Sequence, residues 1–167
     1  MQKLNKDARI PLHSSADFEQ MHRAGRLAAQ ALDMLVPLVV PGVSTMALDD
    51  AILEFALDHG AVPATLNYRG YTKSSCTSIN HVVCHGIPDA RKILRDGDII
   101  NIDVTLILDG WHGDTSRMYP VGKLSRRSER LLEITHEALM RGIAAVKPGN
   151  TTGHIGAAIQ RYAEGER

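Results

Sequence analysis

Cysteine is scarce in this 167-residue sequence: Cys76 and Cys84 are the only two. Two thiols exclude a disulfide scaffold, and their spacing is not that of a zinc site. Both are expected to sit reduced in a core. An excess of one charge is missing too, since 19 basic and 19 acidic side chains cancel. A balanced chain carries no electrostatic footprint for nucleic acid or an anionic membrane. No apolar run approaches the roughly 18 residues of a membrane span. The opening MQKLNKDARIPLHSSADFEQM lacks the apolar core of a secretory signal. These absences point to a cytoplasmic protein, with length for one ordinary domain or part of a larger one.

What is present is helical at both ends. Residues 1–14 read as an irregular N-terminal arm. From Ser15, the residues Phe18, Met21, Ala24, Ala28, Ala31, Leu32 and Leu35 recur at helical spacing until Pro37. Ser44 or Thr45 caps a second helix, with Leu48, Ile52, Phe55 and Ala56 on one face and Gly60 closing it. From Val62 the character changes to short β-prone stretches, 62–66, 74–79 and 81–84, followed by a long hairpin at about 98–121. Ser125 or Ser128 opens a third helix with Leu131, Leu132, Thr135, Ala138, Leu139, Ile143 and Val146 inward. A fourth helix follows Pro148-Gly149 and runs to the last residue.

The two helical ends resemble each other. PGVSTMALDDAILEFALDHG (41–60) lies over PGNTTGHIGAAIQRYAEGER (148–167), matching Pro41/Pro148, Gly42/Gly149, Thr45/Thr152, Ala51/Ala158, Ile52/Ile159 and Ala56/Ala163. Chance similarity of two helix–PG–helix units is one reading, and a duplicated helix–helix–sheet unit is the other. On the second, the later copy stops where its strands should begin, and the chain reads as cut short.

The hairpin carries an anomaly. GDIINIDVTLILDGWHGDTS, residues 97–116, places Asp103 and Asp114 in apolar strands, and a buried carboxylate is costly unless paired. Asp109-Gly110 signals a two-residue turn of primed type. That turn sets Thr105 opposite Asp114 and Asp103 opposite Ser116, with all four on one face. The carboxylates become diagonal neighbours, about 7–8 Å apart at Cα, close enough to share one metal ion or bridge two. Spacing alone leaves other roles open: Asp114 as a turn or capping residue, Asp103 paired with a buried arginine. One bulge would also send Asp114 to the opposite face.

Flanking motifs add a family resemblance. NYRGYTKSSCTSINHVVCHGIPD (67–89), LRDGDIINIDVTLILDGWHGDTSRMYPVG (94–122) and KPGNTTGHIGAAIQ (147–160) closely resemble type I methionine aminopeptidases, over about Asp17 to Arg167. The resemblance implies an α+β fold of the pita-bread type, here its N-terminal half, with helices packed on an antiparallel sheet. Residues 15–167 are then a partial catalytic domain, truncated before the C-terminal half. It also implies two divalent metal ions (Co, Fe, Mn or Zn), with Asp103 and Asp114 as two of five ligands. His85 matches a catalytic histidine that contacts substrate beside the scissile peptide. Tyr68, Tyr71 and Cys76 match the wall of the methionine pocket, and Thr65 falls where many bacterial members carry cysteine.

The implied activity is removal of the initiator methionine from nascent polypeptides, at the ribosome. A glutamate pair and two histidines of the family's second half are missing, and Glu164 and Glu166 belong to a helix end. This chain is accordingly expected to be inactive alone. The alternative is a non-enzymatic half-domain that binds a partner, or complements a separate second half, through its uncovered face.

Overall fold

The computed structural model describes residues 12–166, so most of the expected N-terminal arm lies outside the described residues. Helix α1 spans Ser15–Leu35. Its capping box is reciprocal: Ser14 Oγ accepts from the Asp17 amide, and Asp17 accepts from the Ser14 amide at 2.7 Å. Ala24, Leu27, Ala28, Ala31, Leu32 and Leu35 form its buried stripe. Phe18 and Met21, expected inward, are 65% and 46% exposed. The hairpin tip explains this. Arg23 already pairs with Asp109 of the turn, and His13 meets the Trp111 ring, so the first turns of α1 run past the end of the sheet.

Helix α2 spans Thr45–Asp58, capped by Ser44, and Gly60 follows it with a left-handed φ of +69°. Strand β1 is Val62–Pro63 and β2 is Cys76–Ile79, both shorter than the expected stretches. The stretch 81–84 is not a strand. β2 ends at Ile79, Asn80 follows with a φ of +51°, and the chain turns outward, leaving Val83 91% exposed and Cys84 exposed. β-propensity reports fit to a half-buried pleated surface, and this segment has no neighbouring strand to provide one. Only Cys76 of the two thiols is therefore in a core.

Strands β3 (Ile99–Leu108) and β4 (Trp111–Pro120) make the hairpin. Asp109 and Gly110 both have positive φ, 51° and 84°, as a type I′ turn requires. β4 runs the whole length of β3, while β1 pairs with Leu106–Ile107 and β2 with Ile100–Asp103. Ile100, Ile102, Val104 and Leu106 are fully buried beneath Leu27, Leu32, Leu35, Leu48 and Ile52 of the two helices. Gly113 permits the close approach. A Cβ there would stand 2.1 Å from the Ala24 carbonyl oxygen, so the α1 backbone rests directly on β4.

Helices α3 (Arg126–Ala144, capped by Ser125) and α4 (Thr152–Gly165) pack mainly on each other. Gly142 receives Ile155 and Ile159, and the Arg141 guanidinium lies 4.0 Å above the Tyr162 ring. α4 stops at Gly165 rather than at the last residue. The expected inward face of α3 is largely open. Leu131, Leu139, Ile143 and Val146 are 51–66% exposed, and a groove of about 420 Å³ separates Leu132, Thr135 and Leu139 from Asn101, Ser116 and Met118. The duplicated pattern has a structural counterpart: α2 and α4 are each 14 residues long, and Gly42 and Gly149 share a left-handed φ of 94° and 87°.

Candidate metal centre

Strand parity divides the hairpin into two faces. One bears the buried isoleucines and valine; the other bears Asn101, Asp103, Thr105, Asp114, Ser116 and Met118. In the observed register Asp103 faces Ser116 and Thr105 faces Asp114, with no bulge. On its other side Asp103 faces Cys76 of β2. Asp103 thus stands mid-row in three strands, with Asp114 one diagonal step away.

Among the described residues, neither carboxylate has a hydrogen-bond or ion-pair partner, so neither the buried-arginine role nor a capping role is realised. Burial pushes the Asp103 carboxyl above its ordinary pKa, the Asp114 charge pushes it further, and His85 pulls it back. A half-buried acid facing another acid concentrates negative charge that no described basic side chain pairs with. Hard oxygen donors of this kind suit divalent ions. The fit is partial. Among the described residues no three or more His, Cys, Asp or Glu side chains gather to hold an ion.

His85 reaches this face through a strained strap. Its φ is +57°, and it is exposed. Behind it, Gly86 lies along β2: the Thr77 amide donates to the Gly86 carbonyl at 2.7 Å, and the Gly86 amide donates to Ser78 Oγ at 3.1 Å. A Cβ on Gly86 would come within 2.1 Å of the Thr77 carbonyl oxygen. Glycine is required after the histidine because of this approach.

The pocket residues divide. The Tyr71 hydroxyl donates to the Ser75 carbonyl at 2.7 Å and lies 3.6 Å from Cys76 Sγ. Burial raises both the Tyr71 phenol and the Cys76 thiol, so both stay protonated at neutral pH. Together they make a neutral wall beside Asp103. Thr65 Oγ1 donates to the Lys73 carbonyl at 3.0 Å and closes the loop carrying Tyr71. Tyr68 is 62% exposed on a short 3₁₀ turn, Tyr68–Gly70, beneath the Arg69 guanidinium, and is not drawn to the carboxylates.

Sequence reasoning missed Asp49. It is 4% exposed, accepts from the Ser74 amide at 3.0 Å and from Ser75 Oγ at 2.7 Å, and its carboxyl is raised by burial. The available signal was an acid on the inward stripe of α2, between Leu48 and Ile52. His154 is exposed and caps α4 by accepting from the Thr151 amide at 3.0 Å.

Residues 19–167 match the model of metallopeptidase family M24. The chain belongs to that family. It is 55% identical over 155 residues to methionine aminopeptidase of Rickettsia prowazekii, spanning 93% of this chain and 60% of that protein. To methionine aminopeptidase of Escherichia coli K12 it is 53% identical over 158 residues, 94% of this chain and 60% of the relative. It thus spans about 60% of the length of the curated relatives it matches.

The solved Rickettsia prowazekii enzyme superposes with a TM-score of 0.91 at 54% identity, covering 94% of this chain and 63% of that one. The Pyrococcus furiosus prolidase superposes at 0.80 with 19% identity, covering 91% and 43%, a likeness of fold alone. The architecture is the pita-bread α+β fold.

Proposed function

We propose that this chain provides the substrate pocket and part of the metal site of a metal-dependent methionine aminopeptidase acting in the cytoplasm on nascent proteins at the ribosome. The observation that supports this most is the pair of carboxylates, Asp103 and Asp114, which have no hydrogen-bond or ion-pair partner among the described residues and share one hairpin face beside His85 and the Tyr71–Cys76 wall. Asp103 and Asp114 are the residues that would hold two divalent ions, of Co, Fe, Mn or Zn. Bound there, the ions supply Lewis acidity at the scissile carbonyl.

The chain's own residues bind and orient. Cys76 and the Tyr71 ring offer a soft, neutral surface to a thioether side chain. Thr65 supports the pocket by closing the Tyr71 loop, and Tyr68, exposed on its turn, is assigned to the outer rim. His85, held outward by the Gly86 strap, donates a hydrogen bond to the peptide at the bond to be cut and steadies the charge that develops there. Two carboxylates leave two ions under-coordinated. The 167 residues alone are therefore expected to be inactive.

The test is direct. The chain should release no methionine from a Met-Gly peptide with Co²⁺, Mn²⁺, Fe²⁺ or Zn²⁺, yet bind Mn²⁺ weakly by calorimetry, and Asp103→Asn should abolish that binding. Mn²⁺ binding that persists unchanged in Asp103→Asn and Asp114→Asn would remove the ligand assignment. Turnover by the chain alone would overturn the claim of insufficiency.

A further inference from the structure

Helix α2 carries two buried polar side chains one turn apart, Thr45 at 0% and Asp49 at 4% exposure, on the stripe that continues into Ile52 and Ala56. Polar residues on such a stripe need partners. Thr45 Oγ1 donates to the Asp89 carbonyl at 3.1 Å and accepts from the Asp89 amide at 2.9 Å, fixing the strap that begins at His85. Asp49 accepts from the Ser74 amide and from Ser75 Oγ. The Ser75 carbonyl in turn accepts the Tyr71 hydroxyl at 2.7 Å, and that oxygen lies 3.6 Å from Cys76 Sγ. A continuous relay therefore runs from the helix through Ser75 and Tyr71 to the thiol facing Asp103.

We propose that Asp49 is a positioning residue for the candidate methionine pocket: by holding Ser74 and Ser75 it fixes the Ser75 carbonyl, which aims the Tyr71 hydroxyl and packs the ring against Cys76. The proposal deepens the reading of Tyr71 and Cys76 as pocket wall and rests on it. The physical argument is directional. Residues 71–75 form a connection with no ladder of their own, since β2 starts only at Cys76. A loop of that kind keeps one geometry only where its polar groups are tied down, and Asp49 supplies three of the short acceptor contacts at its end. The role is that of an acceptor. Asparagine retains one oxygen in the same place, whereas alanine retains none.

The experiment reads the alkylation rate of Cys76 by iodoacetamide in the full 167-residue chain carrying Cys84→Ser, which removes the exposed thiol. Asp49→Ala should raise the rate about tenfold and Tyr71→Ala, which removes the shielding ring itself, at least as much, while the double variant should react no faster than Tyr71→Ala, since groups in one network couple. Asp49→Asn should stay within about threefold of the parent, as a retained acceptor predicts. Additive effects, or an unchanged rate in Asp49→Ala, would overturn the proposal. If Asp49→Ala does not fold by circular dichroism, Ser75→Ala replaces it in the same cycle and the same outcomes decide. A separate arm adds L-methionine amide. Protection of Cys76 supports the pocket reading, and coupling without protection retains the relay but removes its assignment to a methionine pocket.

Discussion

Gly86→Ala is the sharpest perturbation of the candidate site because its outcome follows from two distances. The new methyl would lie 2.1 Å from the Thr77 carbonyl oxygen and 2.8 Å from its carbon, both backbone atoms of β2. β2 is buried and laddered to β3, so it cannot retreat. Holding the strap in place means overpacking, typically about 1–3 kcal/mol, with the carbonyl contact at the severe end. Releasing it breaks two hydrogen bonds, Thr77 to Gly86 and Gly86 to Ser78, at about 0.5–1.5 kcal/mol each. The strap is largely exposed, so release is the cheaper course, and the expected loss is about 1–3 kcal/mol. For a chain of this size that lowers the melting temperature by roughly 2–12 °C. Two measurements check it: urea unfolding for the global loss, and amide exchange, in which the Thr77 N–H should lose protection while Ile100 and Ile102 keep theirs. A variant with parental stability and a protected Thr77 amide would refute the argument that glycine is required here.

Gly113→Ala should be worse, about 3 kcal/mol or more, because its Cβ meets the Ala24 carbonyl of α1 at 2.1 Å and a core helix cannot let go; urea titration checks this. Tyr119 donates to the Leu32 carbonyl at 2.6 Å, so Tyr119→Phe should lower stability by about 1–3 kcal/mol. Burial raises the Tyr119 phenol to about 12. Unfolded tyrosines ionise near pH 10 while Tyr119 stays protonated, so wild-type stability should fall between pH 10 and about 12, and Tyr119→Phe should flatten that fall in alkaline melts. Leu139→Asn and Ile143→Ser, on the open face of α3, should change stability by less than about 0.5 kcal/mol. Leu48→Ala, at 1% exposure, should lose about 2–5 kcal/mol. Comparable losses in the α3 variants would show that this face is covered in solution.

The sequence by itself determined the local frame. It brackets two helix starts, at Ser44 or Thr45 and at Ser125 or Ser128, which fall at Ser44 and Ser125; Asp109-Gly110 sets the hairpin register, and parity places Asp103 with Asp114. These are short-range effects, decided by turn chemistry and alternation within a few residues. The flanking motifs supplied the family, and with it the pita-bread fold.

Burial of the helices was a different matter. Phe18, Met21, Leu139 and Ile143 obey helical periodicity yet lie exposed, because periodicity defines a face without saying whether anything lies opposite it. The 81–84 stretch failed as a strand for the same reason, lacking a neighbour. Only the tertiary structure decided that Gly86 must be glycine, that Tyr71 reaches Cys76 through Ser75, and that Asp49 sits buried beneath both. Those contacts join segments up to 26 residues apart, and their energetics depend on desolvation and close packing that no local pattern encodes.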